Sequence, residues 1–328
     1  MILDNLTPWP VEAFPSYDVH GRDILVVVAA ASFDIPAPDS AALRPSAEQP
    51  PVPLEDRFHA QPGISGPVQA AQTAPLRPGA DIYVRGCIRC AVPTRAVEVR
   101  LEVAELRRTA WVVGDRHWRR RVGGWEASEA EPFVTLPIAW ERCHGGPHES
   151  RNRVGCHPPS GSLEGLALPN FEHPGALIQQ PQTRLAPLGF GPIPPQWSPR
   201  LERAGTYDEE WQHARAPYWP EDLDLRFFHA AAEGLRRAHF VGDESITLVG
   251  FLPDQARHFR LPSLRLLLKS RSSSGAVARQ LLRVDGLEFD LDAERLTLYA
   301  RATIDLDEGL GRFSGASLRS LHDWESSP

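Results

Sequence analysis

The chain has 328 residues, a formal net charge of −7, 42% hydrophobic residues and 23% charged residues. These values exclude a disordered or fibrous chain and argue against general affinity for nucleic acid or anionic membrane. Proline is the outlier, with 32 residues, about 10% against a usual ~5%; spread from Pro8 to Pro328, it excludes long helices and coiled coils, because an interior proline costs a helix about 3 kcal/mol.

The start, Met1-Ile2-Leu3-Asp4-Asn5, has no basic region followed by an apolar stretch, so no secretory signal is visible. The longest apolar run, Ile24 to Ala31, is far short of the ~18–20 residues of a membrane span. A cytoplasmic location is expected. Asp18 to Ile35 reads as two strand-like stretches around a turn at His20-Gly21. Ile24 to Val28, aliphatic and mostly β-branched, suits a strand buried on both faces. Pro36 to Pro53 and Gln61 to Pro78 read as loops. Asp81 to Ile88 and Ala96 to Val103 are the next strands, the second with Val97, Leu101 and Val103 inward and Glu98, Arg100 and Glu102 outward. Thr109 to Val113 leads into a turn at Gly114-Asp115-Arg116. Arg119 to Arg121 reads as a solvated strand end, with local stacking of Arg116 or Arg119 on Trp118 as an option.

From Cys143 to Pro220 regular periodicity disappears, yet Leu168, Phe171, Phe190, Trp197 and Tyr218 give this stretch an ordered composition. It reads as irregular chain wrapped over a β-core. Two helices are predicted. Thr206 and Glu209 form a capping-box pattern ahead of Tyr207 to Ala216, and Glu221 to Ala232 carries Asp222 and Asp224 near its N-terminus. Ser245 to Phe251, Phe259 to Leu268, Val277 to Val284 and Arg295 to Ile304 again read as strands, with Asp285-Gly286 as a hairpin turn. The fold class expected is mainly β. Sheet or sandwich-like lobes (about 15–140 and 240–310) flank an irregular, partly helical middle (about 141–235), all in one domain spanning 1–328.

Four cysteines do not make a disulfide scaffold. Cys87 and Cys90 form a CxxC pair, and Cys143-His144 and Cys156-His157 are two thiol–imidazole neighbours from which a zinc site could be drawn. The competing reading places them as buried or half-buried free thiols, since residues three apart on a strand point to opposite faces. His144, His148 and His157, with Glu149 between, read as exposed loop residues rather than a hydrolytic centre. Nucleotide-binding loops, HExxH and GxSxG are missing. No catalytic residue, metal ligand or cofactor is assigned.

The middle of the chain carries the sharpest pattern. Leu188-Gly189-Phe190-Gly191-Pro192-Ile193 is followed by Trp197-Ser198-Pro199-Arg200, Gly205-Thr206-Tyr207-Asp208-Glu209-Glu210-Trp211 and Asp222-Leu223-Asp224-Leu225-Arg226-Phe227-Phe228. Asn5-Leu6-Thr7-Pro8, Gly114 to Trp118, Pro137 to Arg142, Asn152 to Gly155, Leu168 to Glu172 and Gly242-Asp243-Glu244 occur in the same collinear series. The series resembles a bacterial family, domain of unknown function 2169, whose members serve as type VI secretion adaptors or chaperones. The resemblance covers nearly the whole chain. It implies a non-enzymatic cytoplasmic adaptor that binds a type VI effector, possibly one with a PAAR-type tip, and helps load it onto the VgrG spike. A zinc- or histidine-dependent hydrolase and a structural component of the secreted spike are the alternatives. The residues expected to form the partner-binding surface or its scaffold are Trp118, Asn170, Phe190, Trp197, Arg200, Thr206, Tyr207, Asp208, Trp211, Phe227 and Phe228. Pairing of Arg200 with Asp208 would fix the loop onto the first helix.

Overall fold

A computed structural model of the chain describes residues 3–38, 40, 42–157, 162–254, 256–306 and 313–321. The fold is mainly β, as expected. Its centre is a seven-stranded sheet. The order is Arg236–Arg237, Ala80–Arg85, Arg283–Asp290, Arg295–Asp305, Asp23–Asp34 and Val11–Tyr17, with Arg44–Pro45 pairing the end of Asp23–Asp34. Neighbours are antiparallel except Ala80–Arg85 against Arg283–Asp290, which run parallel with Ile82 in register with Leu287. Both β-rich flanks of the sequence thus supply strands to one sheet. Ile24 to Ala31 is aliphatic throughout because both faces of its strand are covered. Leu25, Val27, Ala29 and Ala31 join the main core, while Ile24, Val26, Val28 and Ala30 pack with Val52 and Tyr299 on the other side.

A five-stranded sheet runs Phe171–Glu172, Leu106–Val113, Ala96–Val103, Ser245–Val249 and Arg257–Arg260. Val99, Leu101 and Val103 face the main core, while Glu98 is exposed and Arg100 and Glu102 are half-buried. A four-stranded sheet runs Leu3–Asn5, Phe313–Ser320, Leu266–Ser272 and Val277–Leu281. Among the described residues, no helix is long and apolar enough to cross a membrane.

Several boundaries differ from the sequence reading, each for a local reason. The strand expected over Asp81 to Ile88 breaks at Gly86, whose φ of 93° and close approach to Asp292 suit only glycine. Phe259 to Leu268 is two strands in different sheets, separated around Pro262. Val277 to Val284 likewise changes sheet at Leu282. Asp285-Gly286 is not a hairpin turn. It lies inside the Arg283–Asp290 strand at a register shift between Val284 and Gly286. The connection to Arg295–Asp305 is instead at 291–294, with Glu294 in the left-handed region. Asp285 can sit wholly buried because Arg77 and Arg301 both reach its carboxylate.

The first helix is Glu209–Ala214, and its cap is Asp208, which accepts from the Trp211 N–H. Thr206 does not form the capping box, since its N–H and hydroxyl both donate to Asp222 at 2.9 and 2.8 Å. That bond takes Asp222 away from a second helix, and Glu221 to Ala232 holds only a 3-10 turn, Leu225–Phe228, capped by Asp224. Beyond that turn, the Ala230 and Ala231 N–H groups donate to Asp81 rather than to helical carbonyls.

Candidate recognition lobe and its buried floor

Asp81 is a charged residue in an otherwise apolar strand, and it is wholly buried. Its Oδ2 accepts from the Tyr83 hydroxyl at 2.7 Å and from the Ala230 and Ala231 N–H groups at 2.8 and 3.2 Å. Its Oδ1 accepts from His229 Nδ1 at 2.6 Å. Arg77 Nε lies 3.4 Å from Oδ2. Burial alone would push this carboxyl up, but the Arg77 charge and the His229 and Tyr83 bonds overcome it and hold the group well below the usual carboxylate range. Arg77 also faces Asp285 at 3.2 Å and donates to the Phe228 carbonyl, while Arg301 closes on Asp285 at 2.7 Å. Two guanidinium groups and two carboxylates therefore balance inside the protein. Their backbone bonds fasten the segment from Phe228 to Ala231 onto the central sheet.

The chain ahead of that anchor forms the lobe. Trp197 is buried and meets Trp140 edge-on, with centroids 5.8 Å apart. Trp140 is itself held by its Nε1 donating to the Pro192 carbonyl at 2.6 Å. Gly189 passes so close that an added Cβ would lie 2.7 Å from the Trp140 ring. Phe190 is fully buried between Phe171 and Phe251, with the Arg108 guanidinium 5.7 Å from its centroid. Burial lowers Arg108 to about 10. Arg200 donates to the carbonyls of Ile193 and Phe227 at 2.7 and 3.0 Å and covers the Phe227 ring at 5.2 Å. It does not pair with Asp208, whose side chain is occupied as the helix cap. Trp211 donates to the Tyr218 carbonyl at 2.9 Å, and Tyr218 packs edge-on against Tyr17. Trp219 meets Phe228 edge-on and donates to the Tyr17 carbonyl.

The predicted residues thus divide. Phe190, Trp197 and Phe228 are internal packing; Arg200, Trp211 and Phe227 are half-buried; Thr206, Tyr207 and Asp208 are exposed. Tyr207 is 50% exposed and rests edge-on against Trp211, with centroids 4.7 Å apart. Leu201 and Leu225, which the sequence reading did not single out, are 49% and 37% exposed on the two 3-10 turns of the lobe. Trp118 and Asn170 lie apart. Trp118 is in a separate small core with Leu163, Leu168 and Ile178. Asn170 donates to the Val113 carbonyl and to Asp115. Arg116 bonds Glu172 at 2.5 Å. The buried floor of Arg77, Asp81, His229, Asp285 and Arg301 was also missed; its sequence signal was charge inside apolar strands, at Asp81, Asp285 and Arg301.

Two of the thiols are tied into the scaffold, and His144, expected on an exposed loop, is buried. Cys143 is buried and donates to the Leu188 carbonyl at 3.1 Å, and burial pushes its thiol far above the usual range. Cys156 donates to the Glu141 carbonyl at 3.2 Å and is raised to about 11, chiefly by burial. Burial also raises Cys87 and Cys90, both on the Cys87–Thr94 strand. A protonated thiol is neither a good nucleophile nor a good metal ligand. His148 and His157 lie edge-on 6.2 Å apart. Among the described residues, no group of three or more His, Cys, Asp or Glu side chains could hold a metal ion.

Residues 20–301 match the model of a family described as an uncharacterized protein conserved in bacteria (DUF2169). No curated protein and no solved structure is detectably similar to the chain.

Proposed function

The chain belongs to that bacterial family, and from this premise we propose that it is a non-enzymatic adaptor, or chaperone, for a type VI secretion effector. It binds the effector in the cytoplasm, covers apolar surface on it, and helps load it, possibly through a PAAR-type tip, onto the VgrG spike. The observation that carries this reading is the division of labour in the side chains. The Cys143 and Cys156 thiols, the Asp81 and Asp285 carboxylates and the Arg77 and Arg301 guanidinium groups are all engaged in internal bonds. Tyr207, Leu201 and Leu225 are displayed on a lobe fixed from beneath. Tyrosine, tryptophan and arginine dominate binding hot spots, and an exposed apolar surface on a rigid frame loses little entropy when it is covered. The middle motifs of the resemblance, from Leu188 to Phe228, lie in this same lobe, which supports an effector as the partner.

The test is co-expression with the effector encoded beside the gene. Soluble effector that co-purifies with the chain, and joins VgrG only when the chain is present, is the expected result. Equal effector solubility with and without the chain, and no co-purification, would refute it. Retention of the chain in the cell fraction distinguishes a recycled adaptor from a component of the secreted spike.

A further inference from the structure

The four-stranded sheet turns one face to the core and the other outward. Leu266, Leu268 and Ser270 are buried, as are Ala316 and Leu318 on the neighbouring strand. The alternate residues Leu267, Lys269, Arg271 and Arg319 therefore face away from the core. Register sets Lys269 opposite Arg279, Arg271 opposite Val277, and Leu267 between Leu281 and Arg319. Lys269, the one lysine of the chain, is ringed by three arginines at backbone spacings of about 5–8 Å.

Like charges directly opposite across strands weaken a sheet. Other arginines beside the sheets do find carboxylates: Arg85 holds Glu288 and Asp290, and Arg257 holds Asp254 and Glu294. The four cations of this face make no ion pair or hydrogen bond among the described residues. The one acidic residue among the strands of this sheet is Asp4, in register with Ser317 on the far edge. At the other edge, Val277–Leu281 pairs only with Leu266–Ser272 among the described residues, and its Val277 and Leu281 are 44% and 49% exposed.

We propose that this face and its Val277–Leu281 edge bind an acidic protein segment in extended form. The segment adds as a strand beside Val277–Leu281. One carboxylate sits over Arg279 and Lys269, and apolar side chains two positions before and after it cover Val277 and Leu281. The edge supplies backbone hydrogen bonds, and the alternating side chains supply selectivity. That carboxylate gives Lys269 and Arg279 a charge-assisted partner, which they lack among the described residues. The interleaved aliphatic side chains and the net charge of −7 favour a protein segment over a nucleic acid or an anionic membrane. This inference does not rest on the effector reading.

Fluorescence anisotropy tests it, with the full chain and a labelled peptide of pattern leucine–x–glutamate–x–leucine, beside the same peptide with lysine for glutamate. The glutamate peptide should bind, weaken with salt, and lose at least tenfold in affinity for Lys269→Glu/Arg279→Glu. That variant should in turn prefer the lysine peptide. Arg279→Glu alone should raise the unfolding midpoint, because it turns a repulsive cross-strand pair into an attractive one. No saturable binding, equal affinity for the two peptides, or binding untouched by charge reversal would overturn the proposal. So would a lowered midpoint for Arg279→Glu. Tighter binding of a DNA duplex or phosphatidylserine vesicle through the same residues would overturn the assignment to a protein segment.

Discussion

Replacing Asp81 by asparagine isolates the buried floor, because the side chain keeps its size and loses only its charge and one acceptor oxygen. The native carboxylate serves Tyr83, His229, Ala230, Ala231 and Arg77 at once. An amide has one acceptor oxygen, and its NH2 would face groups that are themselves donors. Arg77 and Arg301 would then share the single carboxylate of Asp285, leaving one buried positive charge unbalanced. Removing one partner of a buried ion pair costs about 3–5 kcal/mol. Urea unfolding at pH 7, followed by tryptophan fluorescence, should show a loss of that size for Asp81→Asn. Adding Arg77→Met should recover part of it, since the remaining Asp285–Arg301 pair is balanced. The pH dependence follows from the depressed carboxyl. Its stabilisation is fully present above the unfolded value of ~3.9 and is lost as pH falls through the lower folded value. The gap between native and variant should therefore be constant near neutrality and shrink in acid. A loss below about 1 kcal/mol at pH 7, or a gap that does not shrink in acid, would refute this account of the floor.

Two further tests address the scaffold. Gly189→Ala would drive a methyl into the Trp140 ring, which cannot retreat because Pro192 and Trp197 hold it; overpacking of this kind costs about 1–3 kcal/mol, readable as a lowered thermal midpoint. Alkylation with iodoacetamide at pH 8 should leave Cys143 and Cys156 untouched in the folded chain and modify them after unfolding, since burial keeps both thiols protonated; fast labelling of either in the folded protein would contradict the inert assignment.

Much of the β-framework was legible in the sequence because two-residue alternation reports burial directly. Ala96–Val103 was bounded correctly, and the unbroken aliphatic run of Ile24 to Ala31 announced a strand covered on both faces. Misreadings arose where a distant partner overrode a local signal. Asp285-Gly286 has the composition of a turn, but Arg77, 208 residues away, and Arg301, on the paired strand, neutralise the carboxylate inside a strand. Glu221 to Ala232 has helical composition, but Thr206 takes Asp222 and Asp81 takes two of its N–H groups. The lobe was half legible. Its aromatic motifs marked the right stretch, but which rings lie inside depends on contacts with Trp140, Phe171 and Phe251, which no spacing rule encodes.

The most direct measurement of the central claim is capture of the neighbouring effector by the native chain and by Leu201→Ser/Tyr207→Ser, at equal levels of folded protein. Both positions are about half exposed, so unfolding free energy should change by no more than about 0.5 kcal/mol per site. The account predicts that the native chain retains soluble effector and that the double variant loses most of it, at an unchanged unfolding midpoint. Effector capture by the variant equal to that by the native chain, or no capture by either, would contradict it.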